Sequence, residues 1–255
     1  SPLPGEVTAY TYAYFLVNAA LTVTVASGSL VTLPTLVAGL ARDGARAATD
    51  YLDRVVPVGI VSVGLLMAAG VAFGEPVFDA LLADSLGADR VATLHDVLTI
   101  FTVLAAANAV VLFLWPSSVG LGREPRLAVA AAASVAVMGA AAAVAQGDTL
   151  DVAAAQAAVA VLVLAVGWVA VLGGAAAAGG VRLLADVVPA VLPLGVFAVV
   201  RLLAGDGGSA AGAIALSVGC GAAACVLGAA VWPRAWGLLP GLGAIARRSP
   251  MARTA

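Results

Sequence analysis

The chain has no lysine: all twelve basic residues among its 255 are arginine. Any mechanism that needs a lysine amine is excluded, including a Schiff base to retinal. Histidine occurs once and cysteine twice, too few to build a usual zinc site. Cys220 and Cys225 lie five apart in one apolar segment, on different faces of a helix, and read as packing residues. No Ser-His-Asp arrangement, metal motif or phosphate-cradling loop ahead of a helix is visible. The sequence therefore gives an enzyme nothing to work with: no catalytic residues, no metal and no cofactor are expected. No basic leader or cleavage pattern precedes the first apolar run, so a signal peptide is not read.

Charge is scarce too. Only 10% of residues are charged, 63% are hydrophobic, and the mean hydropathy is +1.10. A soluble domain carries about 25% charged residues, so there is too little polar surface here to cover a water-soluble particle. A net charge of -2 gives no reason to expect nucleic acid. The reading is an all-α integral membrane protein. The apolar runs are continuous, whereas a barrel strand would alternate.

Seven apolar segments follow one another: about 10–40, 55–73, 93–115, 127–145, 150–172, 183–203 and 210–232. Each reaches or approaches the roughly 20 residues that cross a hydrocarbon layer. Breaks are expected at Arg42–Arg46, Gly74–Pro76, Pro116 with Gly122–Arg126, Gln146–Asp148, Gly179–Gly180 and Gly205–Gly208. The short link at Gln146–Asp148 predicts an antiparallel hairpin of the fourth and fifth segments. With the amino terminus outside and the carboxy terminus inside, inner loops and tail hold ten arginines. They are Arg42, Arg46, Arg54, Arg123, Arg126, Arg182, Arg234, Arg247, Arg248 and Arg253. Only Arg90 and Arg201 fall outside, a strong positive-inside bias. Tyr10, Tyr12 and Tyr14 fit an outer aromatic belt and Trp115, Trp232 and Trp236 an inner one.

The first segment carries the polar residues of most interest. Thr11, Asn18, Thr22 and Ser29 fall within about 40° of one another on an ideal helix. Such a stripe must face protein or water, because an unpaired amide in hydrocarbon costs a few kcal/mol. A water-filled substrate path and plain hydrogen bonding between helices both satisfy that demand. Pro34 is a candidate hinge at the inner end of the segment, and Pro189 and Pro193 could bend the sixth. His95 and Asp96 begin the third segment as a candidate polar relay or an interfacial cap. Asn108 and Gln156 read as ties between helices.

Several motifs point to one family. Gly5-Glu6-Val7-Thr8-Ala9-Tyr10-Thr11-Tyr12-Ala13 leads into a segment ending Leu33-Pro34-Thr35-Leu36, and the next ends Gly74-Glu75-Pro76-Val77. Gly122-Arg123-Glu124-Pro125 follows the third. The pattern resembles the multidrug/oligosaccharidyl-lipid/polysaccharide exporter superfamily, in its MviN-like lipid II flippase and polysaccharide flippase branches. The likeness covers nearly the whole chain, by hydropathy and order more than by strict motif. It implies helices eight to fourteen of a fourteen-helix exporter. Residues 1–173 would be five helices of a second lobe, 174–233 the terminal pair and 234–255 a cytoplasmic basic tail.

The family implies a multi-pass flippase of the bacterial cytoplasmic membrane. It would translocate a lipid-linked oligosaccharide or peptidoglycan precursor by alternating access. Thr11, Asn18, Thr22 and Ser29 would then line the path, and the partner would be a missing amino-terminal half or subunit. Sodium-coupled relatives carry carboxylate and amide ligands on the helices that match the fourth and fifth segments; here those segments are almost all Ala and Val, with Gln156 the exception, so sodium coupling is not expected. The alternative is a non-transporting heptahelical subunit packed against another membrane protein.

Overall fold

A computed structural model describes residues 4–144 and 149–232 of the chain. Among them there is no strand, and nearly every residue is helical. Helix α1 (Pro4–Leu21) passes through a π turn at Thr22–Ala26 into α2 (Ser27–Asp43). Then come α3 (Ala45–Leu86), α4 (Ala88–Gly120), α5 (Glu124–Val144), α6 (Thr149–Leu172), α7 (Ala176–Val191), α8 (Gly195–Ala204) and α9 (Ala210–Val231). Six rods are long and apolar enough to cross a membrane: 7–43, 45–86, 88–120, 149–172, 176–204 and 210–231. The remaining helix, α5, spans 21 residues in the position of the fourth apolar segment. The 234–255 tail, Trp236 and the Gln146–Asp148 link lie outside the described residues.

α4 is the hub. Val97, Phe101, Ala105, Ala109 and Leu114 are fully enclosed and join a core shared with α1, α2, α3, α6 and α7. α3 serves two cores. Its other face, through Val61, Ala72 and Phe73, packs on Ala190, Phe197, Ala213 and Ala224 of α7, α8 and α9. α5 lies along α6, as the short link between them requires.

Contacts between rods sort the chain ends. At one end of the bundle, Leu40 meets Gly120 and Thr49 meets Gly179. Asp53 also pairs with Arg182 there, at 3.7 Å. Arg123 donates from Nη1 to the Val171 carbonyl at the carboxy end of α6, where the helix dipole favours a cation. At the other end His95 bonds Val71, Tyr10 bonds Gln156 and Arg201 pairs with Glu75 and Asp206. The first end holds Arg42, Arg46, Arg54, Arg123, Arg126 and Arg182. The second holds Arg90 and Arg201 with Glu75, Asp79, Asp84, Asp89, Asp96, Asp151 and Asp206.

Several expected breaks are not breaks. α3 runs through Gly74–Pro76 to Leu86, because Phe78, Leu82 and Leu86 continue an apolar face that packs on Val91 and Leu94 of α4 and Ala9 of α1. α4 likewise runs through Pro116. Gly179 and Gly180 lie inside α7, and the turn falls earlier, at Gly173–Ala175, where Gly173 takes φ 59°. These two glycines pack beside Trp168, whose ring lies at ordinary contact distance, 3.6 Å, from where each would carry a Cβ. Its Nε1 donates to the Ala176 carbonyl at 2.9 Å. Pro193 does sit in a break, the 3-10 turn Leu192–Leu194 between α7 and α8.

At about 1.5 Å per residue, the 42 residues of α3 make a rod about 63 Å long, twice the hydrocarbon thickness. Its middle is apolar. Its charged ends, Arg46–Arg54 and Glu75–Asp84, reach past the hydrocarbon on both sides.

Candidate functional site

The polar line of the first segment lies on a face that the described residues leave partly open. Thr11 and Thr22 are exposed and Asn18 is half-buried, whereas Ala9, Ala13, Val17 and Ala20 on the opposite side are buried. Each polar group is satisfied within its own helix. Thr11 Oγ1 donates to the Val7 carbonyl at 2.7 Å, Asn18 Nδ2 to Tyr14 at 2.8 Å and Thr22 Oγ1 to Asn18 at 2.7 Å. Bonding back to the preceding turn lowers the cost of a hydroxyl in hydrocarbon and leaves acceptor capacity on the oxygen.

The π turn divides this line. Ser27 donates both its backbone N–H and, at 3.0 Å, its Oγ to the Thr22 carbonyl five residues back. A π turn holds one residue more than an α turn, so everything beyond it swings by about 100° relative to an ideal α-helix. Ser29 therefore leaves the line of Thr11, Asn18 and Thr22 and turns toward the half-buried side. Its Oγ bonds the Ala26 carbonyl at 2.9 Å. Thr32 rotates with it and meets the Tyr51 hydroxyl of α3 at 2.9 Å. The open face beyond the turn carries Leu30 and Val31, 71% and 79% exposed. The swing keeps one continuous buried side, from Val17 to Leu36, against α3 and α4. The structure thus brings together Thr11, Asn18 and Thr22 and sets Ser29 apart.

Beside the polar line, Leu16, Ala19 and Val23 form one wall of an apolar groove of about 340 Å³, closed by Leu66, Met67, Gly70, Phe78 and Leu98. Polar line and apolar groove share one rod, so its open side is amphipathic. Pro34 sits inside α2, which continues to Asp43. The departure from α geometry lies upstream at Thr22–Ala26, so the Leu33–Pro34 pair is not a helix end.

His95 and Asp96 lie in the second and third turns of α4. His95 Nε2 is 2.7 Å from the Val71 carbonyl and donates to it, tying α4 to α3. Asp96, one residue on, is exposed; the two groups diverge. Gln156 also joins helices, accepting the Tyr10 hydroxyl from α1. Cys220 and Cys225 are free thiols, the first buried and the second half-buried. Among the described residues no group of three or more His, Cys, Asp or Glu could hold a metal ion.

Sequence reasoning passed over Asp53. It faces Arg182 at 3.7 Å, while its Oδ1 is enclosed and has no hydrogen-bond partner among the described residues. The packing of α7 on α3 that brings Arg182 across to Asp53 has no local sequence signal.

No family model, curated protein or solved structure matches this chain.

Proposed function

We propose that the chain is a membrane transporter component that moves a lipid-linked oligosaccharide or peptidoglycan precursor across the cytoplasmic membrane. On this reading it corresponds to the carboxy-terminal part of an exporter-superfamily flippase. One observation carries the proposal: Thr11, Asn18 and Thr22 form a polar line on a membrane-length rod, uncovered by the helices around it. A glycan head group needs hydroxyl and amide partners along its way. A second polar surface, from an amino-terminal lobe or a partner subunit, would close the path opposite this line.

The resemblance in Gly5–Ala13 and Gly122–Pro125 supports the family. The sorting of Arg42, Arg46, Arg54, Arg123, Arg126 and Arg182 to one end of the bundle supports the orientation, amino terminus outside. Six apolar rods of membrane-crossing length, with α5 in the position of the fourth apolar segment, support a multi-pass chain.

The alternative, a non-transporting subunit packed against another membrane protein, draws on the hydroxyls' bonds to their own helix. A face satisfied that way can also lie against a neighbouring helix.

Single cysteines at Thr11, Asn18 and Thr22, in a background with Cys220→Ala and Cys225→Ala, separate the two. In native membranes a water-soluble maleimide is expected to label all three and to spare Ala13→Cys. Uniform protection of the three overturns the hydrated path and leaves the packing subunit.

A further inference from the structure

We infer that the π turn of the first rod is movable, and that its shift from Thr22–Ala26 to residues 30–34 gates the polar line by exchanging Leu30 for Ser29. A π turn is one surplus residue in a helix. It travels when successive N–H groups exchange carbonyl partners. Each residue it passes turns by about 100°, while the helix on either side stays in place. The shift stands on geometry alone; its purpose as a gate rests on the transport reading of Thr11, Asn18 and Thr22.

Pro34, inside α2, marks the destination. In an α turn the Leu30 carbonyl would take the N–H of residue 34, and proline has none. In a π turn the same carbonyl takes the N–H of Thr35 instead, so a surplus residue there gives up no bond to residue 34. The stretch between the two places is furnished with hydroxyls that bond back to the preceding turn. Thr24 donates to Ala20 at 2.7 Å, Ser29 to Ala26 at 2.9 Å and Thr32 to Gly28 at 2.9 Å. Such bonds hold a carbonyl while its backbone partner changes. Where the stretch passes α4 it carries Gly28, and even a Cβ there would stay 3.9 Å from the Phe113 ring. Two ties hold the present register: Ser27 Oγ on the Thr22 carbonyl at 3.0 Å and Thr32 on the Tyr51 hydroxyl at 2.9 Å.

In this register Leu30, 71% exposed, stands within about 20° of Thr11, Asn18 and Thr22 once the surplus residue is counted. It interrupts the line with an apolar side chain, while Ser29 lies about 100° away, half-buried. With the surplus residue moved to 30–34, Ser29 takes the angle that Leu30 held. Leu30 falls in line with Ala19 and Val23, which wall the apolar groove. Ser27, exposed in this register, leaves the open face with its Oγ in reach of the Val23 carbonyl, four residues back. Ser29 thus joins hydroxyl and amide groups and Leu30 joins aliphatic ones. The line is broken after Thr22 in one register and continues to Ser29 in the other.

The shift is read as distances between paired spin labels on the full chain in lipid vesicles, in a background with Cys220→Ala and Cys225→Ala. One label stands at Leu30→Cys or, beyond the moving stretch, at Val37→Cys. The other stands at Val103→Cys on α4 or Val218→Cys on α9; all four positions are exposed. A turn of 100° carries a side chain about 8 Å. Residue 30 is expected to show two distances to at least one reference, and residue 37 one. Tyr51→Phe removes a tie that opposes the shift and is expected to enrich the second distance roughly twofold or more. Pro34→Ala gives the Leu30 carbonyl its α donor and is expected to leave only the first. A single distance at residue 30 both with and without Tyr51→Phe, or two distances that survive Pro34→Ala unchanged, overturns the shift. The gate is read as passage of a lipid-linked glycan through the complete transporter, which Pro34→Ala is expected to slow roughly tenfold or more without loss of folding. Undiminished passage in a Pro34→Ala chain held in one register overturns the gate. Failure of the path itself shows separately, as protection of cysteines at Thr11, Asn18 and Thr22 from maleimide.

Discussion

α4 and the α1–α2 rod run through the same bundle and are both strongly apolar, yet they do opposite things. Over the most apolar stretch of each, 56% of α4 is buried but only 22% of the first rod. α4 spends its apolar residues on neighbours around most of its circumference and leaves the line of Ala92, Asp96, Thr99 and Val103 exposed. The first rod buries one side and leaves the other uncovered, and Thr11, Asn18 and Thr22 gather on the uncovered side. Apolar content alone does not separate these roles: surplus polarity at helical spacing does. On the hub helix, half-buried His95 bonds the Val71 carbonyl of α3, and Ser117, bonded to the Phe113 carbonyl of its own helix, is fully buried. A peripheral helix that keeps Thr11, Asn18 and Thr22 outward does so against the solvation preference of lipid.

Substitutions on the two rods should differ widely in cost, and the largest effect belongs to α4. Phe101 is fully buried. Tyr10 and Tyr14 approach its ring edge-on, with centroids 5.4 and 6.5 Å away. Phe101→Ala would leave a void at the point where α1 docks on the hub, for a loss of about 3–5 kcal/mol. Thermal unfolding in detergent should show it as the most damaging substitution on either rod. A cost as small as that of an exposed residue would mean α4 is not the hub.

The next effect is smaller and separates packing from hydrogen bonding on the same helix. His95→Ala removes the donor to the Val71 carbonyl while sparing most of the apolar interface. A loss of about 1 kcal/mol is expected, with Asp96→Ala, on the exposed side, close to zero. Equal losses in the two variants would point to a coupled pair rather than a tie to α3.

Much of this contrast is legible in the residues themselves. The continuous apolar runs locate the rods, and the arginines sort to the end that the Asp53–Arg182 and Arg123–Val171 contacts define. The line of Thr11, Asn18 and Thr22 follows from helical spacing alone. Other features are decided by tertiary contact. Gly74–Pro76 looks like a stop because proline removes a backbone donor, but the face formed by Phe78, Leu82 and Leu86 continues beyond it and outweighs the missing bond. Pairs of glycines look like turns. Gly179 and Gly180 instead lie within α7, packed beside Trp168, which no local signal announces. The π turn is the least legible. Thr22–Ala26 has no residue type that demands it; it answers the need to hold Gly28 and Leu36 on the side that Val17 already buries. Projection on an ideal helix therefore aligns Ser29 with residues it does not join.

The smallest effect should come from the open side of the first rod, and it is the sharpest test of the comparison. Thr22→Val deletes a hydroxyl whose partner is the Asn18 carbonyl of the preceding turn. That carbonyl keeps its place in the helix, and the new methyl meets no packed neighbour, since Thr22 is exposed. Stability should change by no more than about 0.5 kcal/mol, and Thr11→Val should behave alike. The two variants should still abolish or strongly reduce passage of a lipid-linked glycan in reconstituted vesicles containing the complete transporter, if these oxygens line its path. Unchanged folding with lost transport would place polarity on this face in the service of the substrate. Unchanged folding with unchanged transport would assign the face to a neighbouring helix or to lipid. Loss of folding would show that the chain's own helices cover it, and the contrast with α4 would fail.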